Sequence, residues 1–281
     1  MEIGDYTVTP IIADTFGLDG GAMFGIVPKP LWEEKNPADE RNRIELATRV
    51  LLIEGNNRKI LVDTGNGDKW DDKYRDIYKI DAGEQNLVQS LALKNITPGD
   101  ITDVILTHLH FDHAGGSTVL DNGELVPAFP NATYYVQELN WKWANDTTEK
   151  DAGSYRKENF IPLRGHGVLE LVRGEVEIFT GIQLIVCDGH TQGQQLPLIT
   201  GENHHLFYCG DLIPTVAHLT IPWVMGYDNF PLTTIKEKKK YLNRAADENW
   251  ILLLEHDPTT TAISLRREEN KFRIKQTVQM L

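Results

Sequence analysis

The chain has 281 residues, 41% hydrophobic and 25% charged, close to the average of soluble globular domains. That balance excludes an intrinsically disordered chain, a collagen-like repeat and a low-complexity scaffold. Acidic residues outnumber basic ones 41 to 28, giving a net charge of −13, a field that argues against nucleic acid as a partner. β-branched and aromatic runs at residues 6–12, 48–54 and 59–62 read as strands, the last two joined across Gly55-Asn56-Asn57 as a hairpin. Between the first two lies a long Gly- and Pro-containing segment, 19–42, of a length that tends to be functional or to pack on a partner. Leu87, Val88 and Leu91 predict a helix over 85–94, and Val104-Ile105-Leu106 a strand buried on both faces.

Residues 134–136 read as a strand and 138–144 as a helix, followed by an irregular polar region to about residue 163. Further strands are predicted at 176–179, 183–186, 196–199 and 206–208. Pro231 opens a helix to residue 249, with Leu232, Ile235, Leu242 and Ala246 as its inner face and Lys238-Lys239-Lys240 as its solvated one. A strand at 251–254 and an edge strand at 272–274 close the chain. With no strong linker and no repeat, residues 1–281 read as one mixed α/β domain. No apolar run reaches the roughly 20 residues of a membrane span, and the N-terminus lacks the pattern of a signal peptide. Cys187 and Cys209, the only cysteines, form no disulfide framework and fit a cytoplasmic setting.

The chemistry concentrates in Thr107-His108-Leu109-His110-Phe111-Asp112-His113-Ala114-Gly115-Gly116, directly after the buried strand. In an extended continuation, His108, His110 and Asp112 share one side. A bend at Ala114-Gly115-Gly116 would redirect His113, so the group can feed two neighbouring ions rather than one. Imidazoles and a carboxylate suit zinc and similar borderline ions. Further candidate ligands follow predicted strands: His190 in DGHTQG, Asp211 in CGD and His256 in EHD.

In that order, LVDTG, THLHFDHAGG, DGHTQG, CGD and EHD resemble the motifs of the metallo-β-lactamase-fold hydrolases, from Ile60 to Pro258. The resemblance implies an αββα sandwich with a dinuclear site. It implies that His108, His110 and His190 hold one divalent ion and Asp112, His113 and His256 another, with Asp211 bridging them. Asp63 would orient ligand histidines from behind. Within that family the chain is most similar to the quorum-quenching lactonases, which open N-acyl-homoserine lactones. The stretch from Asp19 to Lys29 and GDLIP at 210–214 resemble a larger subgroup also related to methyl-parathion-type hydrolases. Two departures stand out: Gln194 replaces a histidine common in the family, and Pro214 stands where some lactonases carry an assisting tyrosine.

The expected chemistry is attack on a lactone carbonyl by a hydroxide shared between the two ions, with Asp112 shuttling the proton near Asp211. Met23, Phe24 and Phe111 are expected to contact the substrate, with Trp141, Trp143, Phe160 and Trp223 as further wall candidates. His218 is expected to donate a hydrogen bond to the carbonyl in place of the absent tyrosine. The partner expected is a small lactone or ester, with segment 19–42 a candidate homodimer contact. A phosphotriester hydrolase using the same site is the principal alternative, and a non-catalytic metal-binding module a remoter one.

Overall fold

The computed structural model describes residues 1–81, 83, 86–269 and 271–280. One sheet is formed by Glu2–Ile3 (β1), Tyr6–Asp19 (β2), Arg43–Gly55 (β3), Arg58–Val62 (β4) and Asp103–Ile105 (β5), which a small hairpin of Thr118–Asp121 (β6) and Glu124–Pro127 (β7) separates in sequence from Thr133–Gln137 (β8) and Leu169–Val172 (β9). Its order is β1-β2-β3-β4-β5-β8-β9. The second sheet contains Val176–Phe179 (β10), Ile182–Cys187 (β11), Gln194–Thr200 (β12), His205–Tyr208 (β13), Trp250–Leu253 (β14), Ala262–Glu268 (β15) and Lys271–Val278 (β16), each beside the next. Pairing is parallel at β4–β5, β5–β8, β8–β9 and β13–β14, and antiparallel elsewhere in both sheets.

The two-residue period of a strand explains the layering. Leu51, Ile53, Ile60, Val62 and Ile105 of the first sheet meet Leu184, Leu206, Ile251 and Leu253 of the second in one central core. Their neighbours Val50, Leu52, Leu61 and Val104 face outward, into a core shared with the helices Leu87–Ala92 and Glu138–Asn145. On the opposite side, Trp250, Leu252 and Ile263 pack against Tyr241, Leu242 and Ala245 of the helix Pro231–Asp247. Helix, sheet, sheet, helix: the sandwich is αββα, as the motifs implied. At Gly55-Asn56-Asn57-Arg58 the chain reverses with both asparagines in the left-handed region, φ 49° and 58°, the geometry a two-residue hairpin requires.

Several elements depart from the sequence reading. β2 and β3 are far longer than predicted, and β1, β6, β7, β9 and β15 were not anticipated. The helix predicted from residue 85 begins at Leu87, Gln85 itself lying outside the described residues. Segment 19–42 folds into two short helices, Gly20–Phe24 and Lys29–Trp32, and buries Trp32 in its own chain, leaving Ile26 and Leu31 exposed. Among the described residues no helix is long and apolar enough to cross a membrane.

The last long helix corrects two expectations. Leu232 is 73% exposed, and the buried face is Thr234, Lys238, Tyr241, Leu242 and Ala245. Lys238 is therefore no surface charge. Its ammonium donates to the carbonyls of Thr220, Ile221 and Trp223 at 3.0, 3.3 and 2.7 Å, satisfying backbone acceptors that the irregular segment cannot pair itself. Burial pushes its pKa down to about 7. Replacing Lys238 by Met should cost about 3 kcal/mol in urea denaturation, because buried acceptors lose charge-assisted bonds. Lys239→Met, on the exposed face, should stay within about 0.5 kcal/mol of the parent. Equal effects for the two would mean that the buried ammonium contributes nothing.

Candidate metal centre

The loops that follow β4, β5, β11, β13 and β14 converge at one end of the sandwich. After β5 the chain stays extended through His108 and His110, then turns once as the helix Phe111–Ala114, with Ala114 N donating to His110 O at 2.9 Å. That helical turn, rather than a bend at the glycines, brings Asp112 and His113 round toward the histidines before them. Gly115 serves another end: a Cβ there would lie 2.1 Å from the Asn66 carbonyl oxygen. The loop after β4 packs directly upon it.

Two groups of side chains result, all buried. In the first, His108 Nε2 and His190 Nε2 lie 2.9 and 3.0 Å from His110 Nδ1, and Asp211 Oδ2 lies 2.9 Å from His190 Nε2. The second comprises Asp112, His113 and His256. Its Nε2 atoms are 3.3 Å apart, each 3.7 Å from Asp112 Oδ2. Asp211 faces both groups, with Oδ1 3.1 Å from His256 Nε2 and Oδ2 3.5 Å from His113 Nε2.

The outer nitrogens decide what the inner ones can do. His190 Nδ1 meets Asp228 Oδ1 at 2.9 Å, His256 Nδ1 meets the Ala47 carbonyl at 2.8 Å, and His113 Nδ1 meets Asp63 Oδ2 at 3.0 Å. The Thr107 hydroxyl donates to Asp63 at 2.7 Å and so is left to accept from His108 Nδ1 at 3.1 Å. Each of these acceptors assigns the proton to Nδ1 and turns a bare Nε2 lone pair inward. Lone pairs and carboxylate oxygens about 3 Å apart repel unless a cation lies among them.

The electrostatics point the same way. Burial and neighbouring imidazoles hold His108 and His110 well below the usual histidine range, as neutral donors. Burial also opposes charge on His190 and His256, yet Asp211 outweighs it and raises each to about 9. The buried carboxylates thus draw positive charge into the centre. A divalent cation fits this donor set, three imidazoles with Asp211 on one side and two imidazoles with Asp112 on the other.

The backing is equally specific. Asp63 adopts φ 61° and accepts from Thr107 N at 2.7 Å as well as from its hydroxyl, which ties the β4 loop to the β5 loop. Arg49 on β3 donates to the carbonyls of Leu254 and Asp257, framing His256. Gln194 answers the departure noted in the sequence: its Oε1 accepts from Asp211 N at 3.0 Å and holds that backbone in place. Asp228, Arg49 and Glu255 were missed as supports. Asp228 stands 38 residues from His190 in an irregular loop, and no spacing rule connects them. Glu255, inside the EHD motif, sits 3.1 Å from His113 Nδ1, and burial lifts its carboxyl to about 7.

The centre opens into a cavity of about 200 Å³ that Met23 and Phe111 line, with Leu18, Leu46, Tyr78 and Met225. Phe24 does not reach it. It lies behind, stacked between Trp32 and His218 at 5.3 and 4.8 Å. His218 is a correction too. Its Nε2 donates to the Met23 carbonyl at 2.9 Å and its Nδ1 pairs with the Thr215 hydroxyl at 2.8 Å. With both nitrogens engaged and the ring buried, His218 braces the wall and has no hydrogen to offer a substrate. Trp141, Trp143 and Phe160 belong to the helical layer, and Trp223 packs edge-on against Phe24.

Fold and site together describe a metal-dependent hydrolase. The chain belongs to the metallo-beta-lactamase superfamily, whose family model matches residues 43–264. An N-acyl homoserine lactonase of Bacillus cereus is 30% identical over 174 residues, 59% of this chain and 63% of that protein, so the match spans less than two thirds of the relative. A probable metal-dependent hydrolase from Staphylococcus aureus, a crystal structure 30% identical to this chain, superposes with a TM-score of 0.89 over 99% of this chain and all of that one. The dizinc quorum-quenching lactonase AidC, in complex with a product homoserine, shares the fold at 20% identity and a TM-score of 0.78, covering 100% of this chain and 97% of its own.

Replacing Asp228 by Ala should weaken metal retention by ~10–100-fold in chelator competition, since an outer carboxylate fixes the tautomer and aim of its histidine. Unaltered retention would show that His190 needs no such partner.

Proposed function

We propose that this hydrolase is a lactonase that opens N-acyl-homoserine lactones or related lactones. The observation that carries the reading is the meeting of two histidine and carboxylate groups, joined by Asp211, with a small apolar-walled cavity. Such a cavity suits an acyl tail beside a polar ring, and the names of the curated relatives agree. In this reading His108, His110 and His190 hold one divalent ion, Asp112, His113 and His256 a second, and Asp211 both. Zinc or a similar ion bound there supplies Lewis acidity and brings a water's pKa toward neutrality.

The chain's own residues do the rest. Asp112 lines the cavity beside Asp211, and in this reading one of its carboxylate oxygens serves the reacting water and the ring oxygen in turn. It takes a proton as water oxygen bonds to the carbonyl carbon. It returns that proton to the ring oxygen as the carbon–oxygen bond breaks, leaving an acid and an alcohol. Met23, Leu46 and Met225 exclude bulk water from the tail's side.

The test is hydrolysis by purified, metal-analysed protein of homoserine lactones of several chain lengths, simple γ-lactones and an aryl phosphotriester. Lactones should lead in kcat/KM; a lead by the phosphotriester would transfer the function to phosphorus chemistry on the same site. Asp112→Asn should lower kcat by ~10²–10⁴-fold with a much smaller change in KM. Unchanged kcat at full metal content would remove Asp112 from proton transfer.

A further inference from the structure

The histidines of the first group come from two separate stretches of chain. His108 and His110 follow β5, whereas His190 follows β11. Two imidazoles on one stretch are spaced by their own backbone, but the third is not. The three can close on one ion only if the two stretches keep a fixed separation. Contacts from the last long helix and its lead-in hold the His190 loop on one side. There Glu237 accepts from Asp188 N and Gly189 N at 2.8 and 3.1 Å, and Asp228 claims the His190 ring.

Asn140 touches both stretches at once. It stands on the helix Glu138–Asn145 and is fully buried. Its Oδ1 accepts from Leu109 N at 3.0 Å, and that amide lies between His108 and His110. Its Nδ2 donates to the Gln192 carbonyl at 2.8 Å, just beyond His190. One planar amide therefore spans the gap, an acceptor for one stretch and a donor for the other. Neither a carboxylate nor a hydrocarbon of the same size can make that pair of bonds.

The backbone opposite is shaped to admit it. Gly193 turns with φ 70°, and a Cβ there would lie 2.7 Å from Asn140 N, so the His190 loop presses directly on the helix that carries Asn140. The stretches meet again nearer the strands, where Gln195 N donates to Thr107 O at 2.8 Å. That contact fixes the strand ends, and the Asn140 bridge fixes the loops from which the histidines project. Asn140 does not line the cavity, so any effect it has passes through the histidines.

We propose that Asn140 is a positioning residue whose side-chain amide sets the separation of the two loops, and with it the geometry in which His108, His110 and His190 close on one ion. The proposal rests on the two-ion reading of the centre and is independent of which substrate is hydrolysed.

The experiment compares the full-length parent with Asn140→Leu, which keeps the size and removes both bonds. Asn140→Asp keeps the acceptor for Leu109 N, loses the donor, and serves as the test if the first variant does not fold. Ala144→Gly is the control, because it weakens the same helix and leaves the bridge in place. Each is loaded with zinc; chelator competition measures how tightly each ion is held, and anomalous diffraction identifies which one is lost. The Asn140 variants should hold the ion of His108, His110 and His190 at least ~10-fold more weakly, with the other ion within ~3-fold of the parent, as when a group that aims a ligand is removed. A smaller loss in a folded variant, equal weakening of both ions, or the same selective loss in Ala144→Gly overturns the proposal. If the parent binds fewer than two ions, the two-ion reading falls separately, and hydrogen exchange in the metal-free protein decides whether the bridge sets the loops. The amides of Leu109 and of residues 190–193 should then exchange at least ~10-fold faster in Asn140→Leu, once the bonds that protect them are gone, and unchanged exchange would overturn the bridge.

Discussion

Asp211 lies where two groups of imidazoles would otherwise face only one another. One of its oxygens is turned to His256 and the other to His190 and His113. Burial alone would raise this carboxyl, and the surrounding histidines instead hold it well below its usual range, led by His190 and His256. A buried anion ringed by inward lone pairs is stable only with positive charge at its centre. The arrangement of loops, caps and strand ends around it is the means of keeping those groups together.

That frame has a simple logic. Alternating strands give each sheet one face for the central core and one for a helical layer, so strand ends emerge in register at a common edge. From that edge, three of the converging histidines are gripped from outside by a neighbour elsewhere in the chain: Asp63 for His113, Asp228 for His190 and the β3 backbone for His256. Removing any one frees a ring to rotate, so the metal-facing geometry is a property of the whole edge rather than of one motif.

Local patterns made much of this readable in advance. Apolar and β-branched runs marked the strands β3, β4 and β14, the resemblance of the ordered motifs implied the sandwich, and His-x-His-x-Asp-His after a buried strand marked the centre. What sequence could not supply were meetings across the fold. Lys238 looked like one of three solvated lysines, and only the carbonyls of Thr220, Ile221 and Trp223 above it reveal otherwise. His218 was favoured because it follows Asp211 closely, but chain proximity says nothing of which partner claims a ring nitrogen, and Thr215 and Met23 claim both. Asp228 lies in a loop with no periodic signal at all. The hairpin of β6 and β7 was legible in Asn122-Gly123, a strong turn pair, and was overlooked because its strands are short and half exposed.

The central claim is that Asp211 joins two cation sites in one buried centre. Anomalous diffraction from zinc-loaded crystals, paired with elemental analysis of the parent and of Asp211→Ala, tests it most directly. Two peaks ~3.5–4 Å apart, one flanked by His108, His110 and His190 and the other by Asp112, His113 and His256, should appear in the parent, with weakened paired occupancy in Asp211→Ala. One ion per chain at saturation, with full activity, would contradict the account.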